Sequence, residues 1–363
     1  MLPDSAAGLA LVKPAVRAQS AYTLAALAAP RKLNQNESPR DIPDLLKARI
    51  LARAAATSWN RYPAFHPAEL AATLAARYGW VAEGVLVGNG SNELIQAVTA
   101  VAVGGGEVVV APTPTFALYR QLTAVLGGRY EAVPLATDLS YDIDQLIGRA
   151  RATAARMIIL NSPNNPTGSA LPGGAIERML RETEALIVCD EAYQEFGGPT
   201  AIPLLTSSSR LIVLRTFSKA MGLAGLRFGF ALAHPAMIAE ITKAKLPYNV
   251  NAITLIAAEE ILADPAALDA LVAATRIERE RAIAALRKVP GLEVYPSQAN
   301  FFVIRCRTVP ASEVFRRLRE EFGILIRDIS GAPPLDQCLR ISVGTRDDMD
   351  AVILALTTIF ADR

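Results

Sequence analysis

The sequence predicts an α/β fold: a mostly parallel central sheet with helices on both faces, joined to a smaller α+β domain. Three observations predict it. From about residue 85, short apolar runs alternate with longer stretches of helical periodicity. The runs are apolar enough to be buried on both faces, as parallel strands under helices are. The alternation breaks at Asp264-Pro265, and a different succession of helices and strands follows. At 363 residues the chain exceeds one ordinary core and is short for three domains.

In chain order, Val85 to Val87 reads as a strand followed by a helix from Ser91, and Val108 to Val110 as a strand followed by a helix from Thr115. Further strands are predicted at Met157 to Leu160, Ala185 to Cys189, Leu211 to Leu214 and Phe228 to Leu232. A helix over Ala252 to Ala263 closes this part. Beyond it, a long helix around Ala267 to Arg287 leads to strands near Leu292, Phe301, Ile324 and Leu339, separated and followed by helices. The first 35 or so residues lack strong periodicity. The division expected is an N-terminal arm over 1–35 packing with the small domain, a large domain over 36–264 and a small one over 265–363.

Composition narrows the partners. Lys and Arg number 37 against 35 Asp and Glu, so a formal charge of +2 gives no footprint for nucleic acid or an anionic membrane surface. A small-molecule partner is expected. Cys189, Cys306 and Cys338 are far apart in apolar stretches without metal-ligand spacing, and read as reduced core residues. His66 and His234 each stand at a helix start, as capping or surface residues, and two histidines make no zinc site. The opening MLPDSAAGLALVKPAV lacks a basic region before a long apolar core, and no run of about 18 uncharged apolar residues occurs, so a cytoplasmic location is expected.

Ligands of an open parallel sheet bind beyond the carboxyl ends of its strands. After strand 157 to 160 comes Asn161-Ser-Pro-Asn-Asn-Pro-Thr-Gly168; after 185 to 189, Asp190-Glu-Ala-Tyr193; after 211 to 214, Arg215-Thr-Phe-Ser-Lys219. Each has a bland reading alone: a turn, a helix cap, a solvated lysine. Together, on consecutive strand ends, 25 and 29 residues apart at Asn165, Asp190 and Lys219, they present an amide, a carboxylate, a phenol and an amine to one place. Gly88-Asn-Gly90 without a third glycine is a weak dinucleotide signal, and no P-loop follows.

With these residues the chain resembles the fold-type I aminotransferases that use pyridoxal 5′-phosphate (PLP), and Thr216-Phe-Ser-Lys-Ala-Met-Gly-Leu-Ala-Gly225 resembles their class II lysine signature throughout. The resemblance spans about residues 32 to 346. It implies that Lys219 bonds covalently to PLP and later shuttles a proton, that Asp190 pairs with the pyridine nitrogen, and that Asn165 and Tyr193 hydrogen-bond the ring 3′-oxygen. It gives the phosphate to Ser91 and Asn92 at a helix start, to Ser218 and to Arg227, and stacks Phe116 on the ring, where many relatives carry Tyr.

Shorter motifs are similar to the histidinol-phosphate aminotransferase branch: Leu33-Asn-Gln-Asn-Glu-Ser-Pro39, Arg61-Tyr-Pro63, Ser297-Gln-Ala-Asn-Phe301, and Arg327-Asp328 followed by Cys338-Leu-Arg-Ile-Ser-Val-Gly-Thr-Arg346. That branch moves an amino group between L-histidinol phosphate and 2-oxoglutarate, a histidine-biosynthesis step. The resemblance implies that Arg327 and Arg340, with Tyr22 and Asn36, bind substrate, and that Tyr62 reaches the cofactor phosphate of a neighbouring subunit in a homodimer. Ala64 and Ser38 depart from the usual residues at their positions. An aromatic or broad-specificity aminotransferase, a threonine-phosphate decarboxylase and a non-catalytic PLP-binding regulatory domain are the competing readings. The last commonly carries a DNA-binding part, for which no basic helix is present.

Overall fold

In a computed structural model, residues 6–21, 27–331 and 333–362 are described. The strands, in chain order, are β1 (Arg31–Lys32), β2 (Val85–Gly88), β3 (Val108–Thr113), β4 (Arg129–Pro134), β5 (Met157–Asn161), β6 (Leu186–Asp190), β7 (Leu211–Thr216), β8 (Gly229–Ala233), β9 (Leu292–Val294), β10 (Phe301–Cys306), β11 (Ile324–Leu325), β12 (Arg327–Asp328) and β13 (Cys338–Ser342).

Seven of them form one sheet in the order β2-β8-β7-β6-β5-β3-β4. β4, β3, β5, β6 and β7 run parallel, and β8 is antiparallel to both its neighbours. Successive residues of a strand point to opposite faces. In β5, Ile158 and Leu160 accordingly join one core and Met157 and Ile159 the other. Helices Asp44–Ala56, Ala68–Tyr78 and Ala252–Ala263 cover the first face; Ser91–Ala102 and Pro235–Ala244 cover the second. The predicted fold class is the one observed.

β12-β13-β10-β9 form a second, antiparallel sheet. One face packs on helices Pro265–Leu286, Ala311–Glu320 and Arg346–Ala361 through Phe302, Ile304, Leu339 and Ile341. The other face carries Phe301, Arg340 and Ser342 toward the carboxyl ends of the large sheet. β1 pairs in parallel with β11, and Leu33 joins the core of the second sheet. Pro14–Arg17 lies against helix Leu118–Val125.

Several elements differ from expectation, among them β1 and β12, whose two residues each are too short and polar to show as apolar runs. β4 was not among the predicted strands. It sits at the sheet edge, pairs only with β3 and exposes Arg129 and Glu131 in part, so its polar side chains interrupt the apolar run that marks the inner strands. The helix expected from Thr115 begins at Leu118, because Thr115, Phe116 and Ala117 line a cavity and the Thr115 hydroxyl donates to Asn164 Oδ1 at 2.7 Å. His234 caps its helix through Nδ1, His66 is exposed, and the three cysteines are buried and free.

Candidate active site

β5, β6 and β7 end side by side, with Asn161 opposite Asp190 and Asp190 opposite Leu214. A cavity of about 380 Å³ opens beyond these ends, closed by the second sheet and by residues 34–36. It brings together Asn36, Ser91, Asn92, Phe116, Asn165, Asp190, Tyr193, Ser218, Lys219, Arg227, Arg327 and Arg340. Tyr62 is elsewhere, 80% exposed and stacked on Tyr248 with ring centroids 4.3 Å apart. Tyr22 lies outside the described residues.

Lys219 follows β7 by three residues. Its Nζ donates to the Gln35 carbonyl at 3.1 Å and stands 5.8 Å from the centroid of the Tyr193 ring. Burial pushes its pKa down to about 8. The positive charge of Arg340 adds to the fall, Glu37 opposes it, and Arg227 and Lys32 contribute further. A large share of this amine is therefore neutral near pH 8.

Asp190, at the end of β6, is 3% exposed. The Tyr119 hydroxyl donates to its Oδ2 at 2.7 Å and the Ala192 N–H to its Oδ1 at 3.2 Å. Burial nonetheless raises its pKa to about 6, because these are neutral donors and no cation of the described residues forms an ion pair with it. Its carboxylate is stabilised fully only by a positive charge brought into the cavity.

At the other end of the cavity, helix Ser91–Ala102 begins without a side-chain cap, so its first N–H groups are not taken up by one. Gly90, at φ +78°, lets Arg227 lie over the turn, since a Cβ there would come within 2.6 Å of Arg227 Nη2. Gly229 on β8 leaves room for the helix start itself; its Cβ would meet the Ser91 nitrogen at 2.6 Å. Arg227 donates to the Ser218 hydroxyl at 3.1 Å. Helix N–H groups, a hydroxyl and a guanidinium converge as they do at phosphate sites. Phe116 forms one wall, edge-on to Tyr119 at 5.6 Å.

The remaining wall is cationic. The β12–β13 register sets Arg327 directly opposite Arg340. Arg340 donates through Nη1 to Asn165 Oδ1 and through Nη2 to the Asn34 carbonyl at 2.8 Å. Arg327 is half-buried, and its side chain has no hydrogen bond or ion pair among the described residues.

Comparison with known proteins meets this geometry. Residues 30–356 match the family described as Aminotransferase class I and II. The chain belongs to that family. It is 39% identical over 346 residues, 95% of its length and 97% of the relative's, to the histidinol-phosphate aminotransferase of Chlorobaculum parvum. Among solved structures, it is similar to histidinol-phosphate aminotransferase from Sinorhizobium meliloti in complex with pyridoxal 5′-phosphate. That likeness has a TM-score of 0.87 and 27% identity, covering 97% of this chain and 98% of the other. L-threonine-O-3-phosphate decarboxylase from Porphyromonas gingivalis shares the fold at a TM-score of 0.79 and 26% identity, covering 91% of this chain and 99% of that one.

PLP is the cofactor general to these aminotransferases, and the donor set here fits it: an anion cradle, a carboxylate lacking a cation, an amine of lowered pKa and an aromatic wall. The sequence reading missed Tyr119, which holds Asp190, and Asn161, whose Nδ2 donates to the Asp190 carbonyl at 2.9 Å. It also missed Ser342, against Asn36. A signal existed for Asn161, which directly follows the apolar run Met157 to Leu160; Tyr119 and Ser342 carried none of that kind.

Proposed function

We propose that this aminotransferase moves the amino group between L-histidinol phosphate and 2-oxoglutarate, yielding imidazole acetol phosphate and L-glutamate, with PLP held by Lys219. Bound here, PLP would supply an electrophilic carbon to take up the amino group and a protonated ring to draw electrons from the donor carbon. Asp190 keeps the ring nitrogen charged; the pairing in turn restores the ionised carboxylate that burial disfavours. Lys219, neutral near pH 8, accepts the proton of the donor Cα and returns it. Asn165 and Tyr193 hold the ring oxygen, Phe116 flanks the ring, and Ser91, Asn92, Ser218 and Arg227 hold the phosphate.

Arg340 and Arg327 receive the oxyanion of each substrate in turn: the phosphate of one, the carboxylate of the other. Both groups accept paired guanidinium N–H donors, which suits one wall serving two substrates of unlike shape. The observation that carries the choice of substrate is the 39% identity to the Chlorobaculum parvum enzyme over nearly the full length of both chains. The arginine pair supplies its physical reason. The resemblance gives Asn36 and Tyr22 to the substrate; Asn36 reaches the cavity with its amide turned to Tyr193 at 3.2 Å.

The active form is proposed as a cytoplasmic homodimer in which each Tyr62 serves the partner's cofactor phosphate. Its exposure, remote from its own cavity, supports this. No helix of the described residues is long and apolar enough to cross a membrane. The decarboxylase from Porphyromonas gingivalis keeps a second reading open, because threonine phosphate also joins an amine to a phosphate. Steady-state turnover with L-histidinol phosphate and 2-oxoglutarate, against phenylalanine and threonine phosphate, decides. Histidinol phosphate is expected to give the highest kcat/KM, and CO2 release from threonine phosphate as the main reaction would overturn the proposal.

A further inference from the structure

A buried relay of hydrogen bonds runs from the second sheet to the Tyr193 hydroxyl. Ser342 lies opposite Phe301 in the β10–β13 register, and the Phe301 ring meets the Tyr193 ring edge-on at 5.1 Å. Asn36 is 1% exposed and Ser342 is 3% exposed. The Asn36 backbone N–H donates to Ser342 Oγ at 2.8 Å, and the Ser342 hydroxyl donates to Asn36 Oδ1 at 3.1 Å. Asn36 Nδ2 donates to the Tyr193 hydroxyl at 3.2 Å. Asn300 Nδ2 donates to the Asn36 carbonyl at 3.0 Å and helps hold Asn36 at φ +54°, a left-handed conformation.

A carboxamide has one accepting end and one donating end. Ser342 accepts the Asn36 N–H and gives its own proton to Oδ1, so the NH2 of Asn36 is left to face Tyr193. The phenol oxygen receives a proton there and directs its own elsewhere. We infer that Ser342, acting through Asn36, fixes the polarity of Tyr193 so that the phenol donates to an oxyanion in the cavity. Ser342 is then a positioning residue for the reaction proposed above, and the inference rests on that reading, with the ring oxygen of PLP as the oxyanion. Without the Ser342 hydroxyl, the Asn36 amide can turn over, present Oδ1 to Tyr193 and draw the phenolic proton away.

The charged groups around Tyr193 are Lys219 on the neighbouring loop, Asp190 on its own, and Arg340 stacked over Phe301; Arg279 on the long helix donates to the carbonyls of Phe196 and Ala299. Ser342→Ala removes none of them. A change seen in that variant therefore reports the hydrogen-bond relay.

The test uses protein reconstituted with PLP and reads the pH at which the bound cofactor's absorption changes. A weaker donor to the ring oxygen leaves that oxygen and the nitrogen conjugated to it holding their shared proton more tightly. In Ser342→Ala the change is expected to move upward by about half to one pH unit, the size of a weakened bond to a charged group. Ser342→Thr, which keeps the hydroxyl, is expected to match the wild type. Asn36→Asp offers only acceptors to Tyr193 and is expected to shift at least as far as Ser342→Ala. Should Ser342→Ala fail to load PLP, Asn36→Asp carries the decision. A loaded variant of either kind that titrates like the wild type overturns the inference. A wild-type protein that takes up no PLP strikes the proposed function itself, a different result.

Discussion

Lys219 is held where its charged form is costly. Its fall from 10.5 to about 8 corresponds to roughly 3 kcal/mol, an upper figure because the side chain is partly open to cavity water. The unfolded chain keeps the ordinary lysine value and binds more protons between about pH 8 and 10.5, so stability rises with pH through that window; below pH 8 the whole cost is present. Cofactor-free Lys219→Met is expected to melt above the wild type at pH 7, with the gap narrowing toward pH 10.5, as calorimetry can read. Equal melting at both pH values would contradict the burial argument. Tyr119 makes the converse case, since its hydroxyl favours ionised Asp190. Tyr119→Phe is expected to weaken PLP binding about tenfold in an absorbance titration, the loss expected for one bond to a charged group. Unchanged affinity would count against that role. Lys219 and Asp190 were legible because each follows an apolar strand end. Tyr119 was not, because its partner lies 71 residues on and only the folded sheet brings them together.

At the scale of elements, the start of helix Ser91–Ala102 and the β12–β13 pair set the two ends of the cavity. Gly90→Ala places a Cβ against Arg227 and forces a side chain into positive φ. It is expected to cost about 1–2 kcal/mol of stability, by denaturant titration, and to lower PLP affinity as well. Stability and affinity both matching the wild type would remove the cradle from the account. The inner strands were readable since both faces are buried and the runs are continuous in Val, Ile and Leu. β4 was hidden by its half-exposed edge position. The spacing of Arg327 and Arg340 was plain in the sequence, but only the antiparallel register shows that they stand face to face. Arg327→Gln is expected to raise KM for histidinol phosphate about tenfold or more with a smaller change in kcat, as loss of ground-state oxyanion binding does. A kcat effect alone would move Arg327 out of the substrate wall.

Across the whole molecule, the cavity gathers residues from Asn34 to Arg340, so nearly the entire chain must fold before the site exists. That fits a family match that runs from residue 30 to residue 356. Trp59 and Tyr62, exposed by 75% and 80%, are large apolar groups left at the surface. Sedimentation is expected to give a dimer, and Tyr62→Ala to weaken PLP binding through the neighbouring subunit; a monomer of full activity would contradict the shared site. One amine, placed by β7 among Asp190, Tyr193 and Arg340, is proposed to hold the cofactor. Borohydride reduction of the PLP-treated protein, followed by peptide mapping, tests it most directly. The label is expected on the peptide containing Lys219 and to vanish in Lys219→Ala; label on another lysine with Lys219 unmodified would contradict the account.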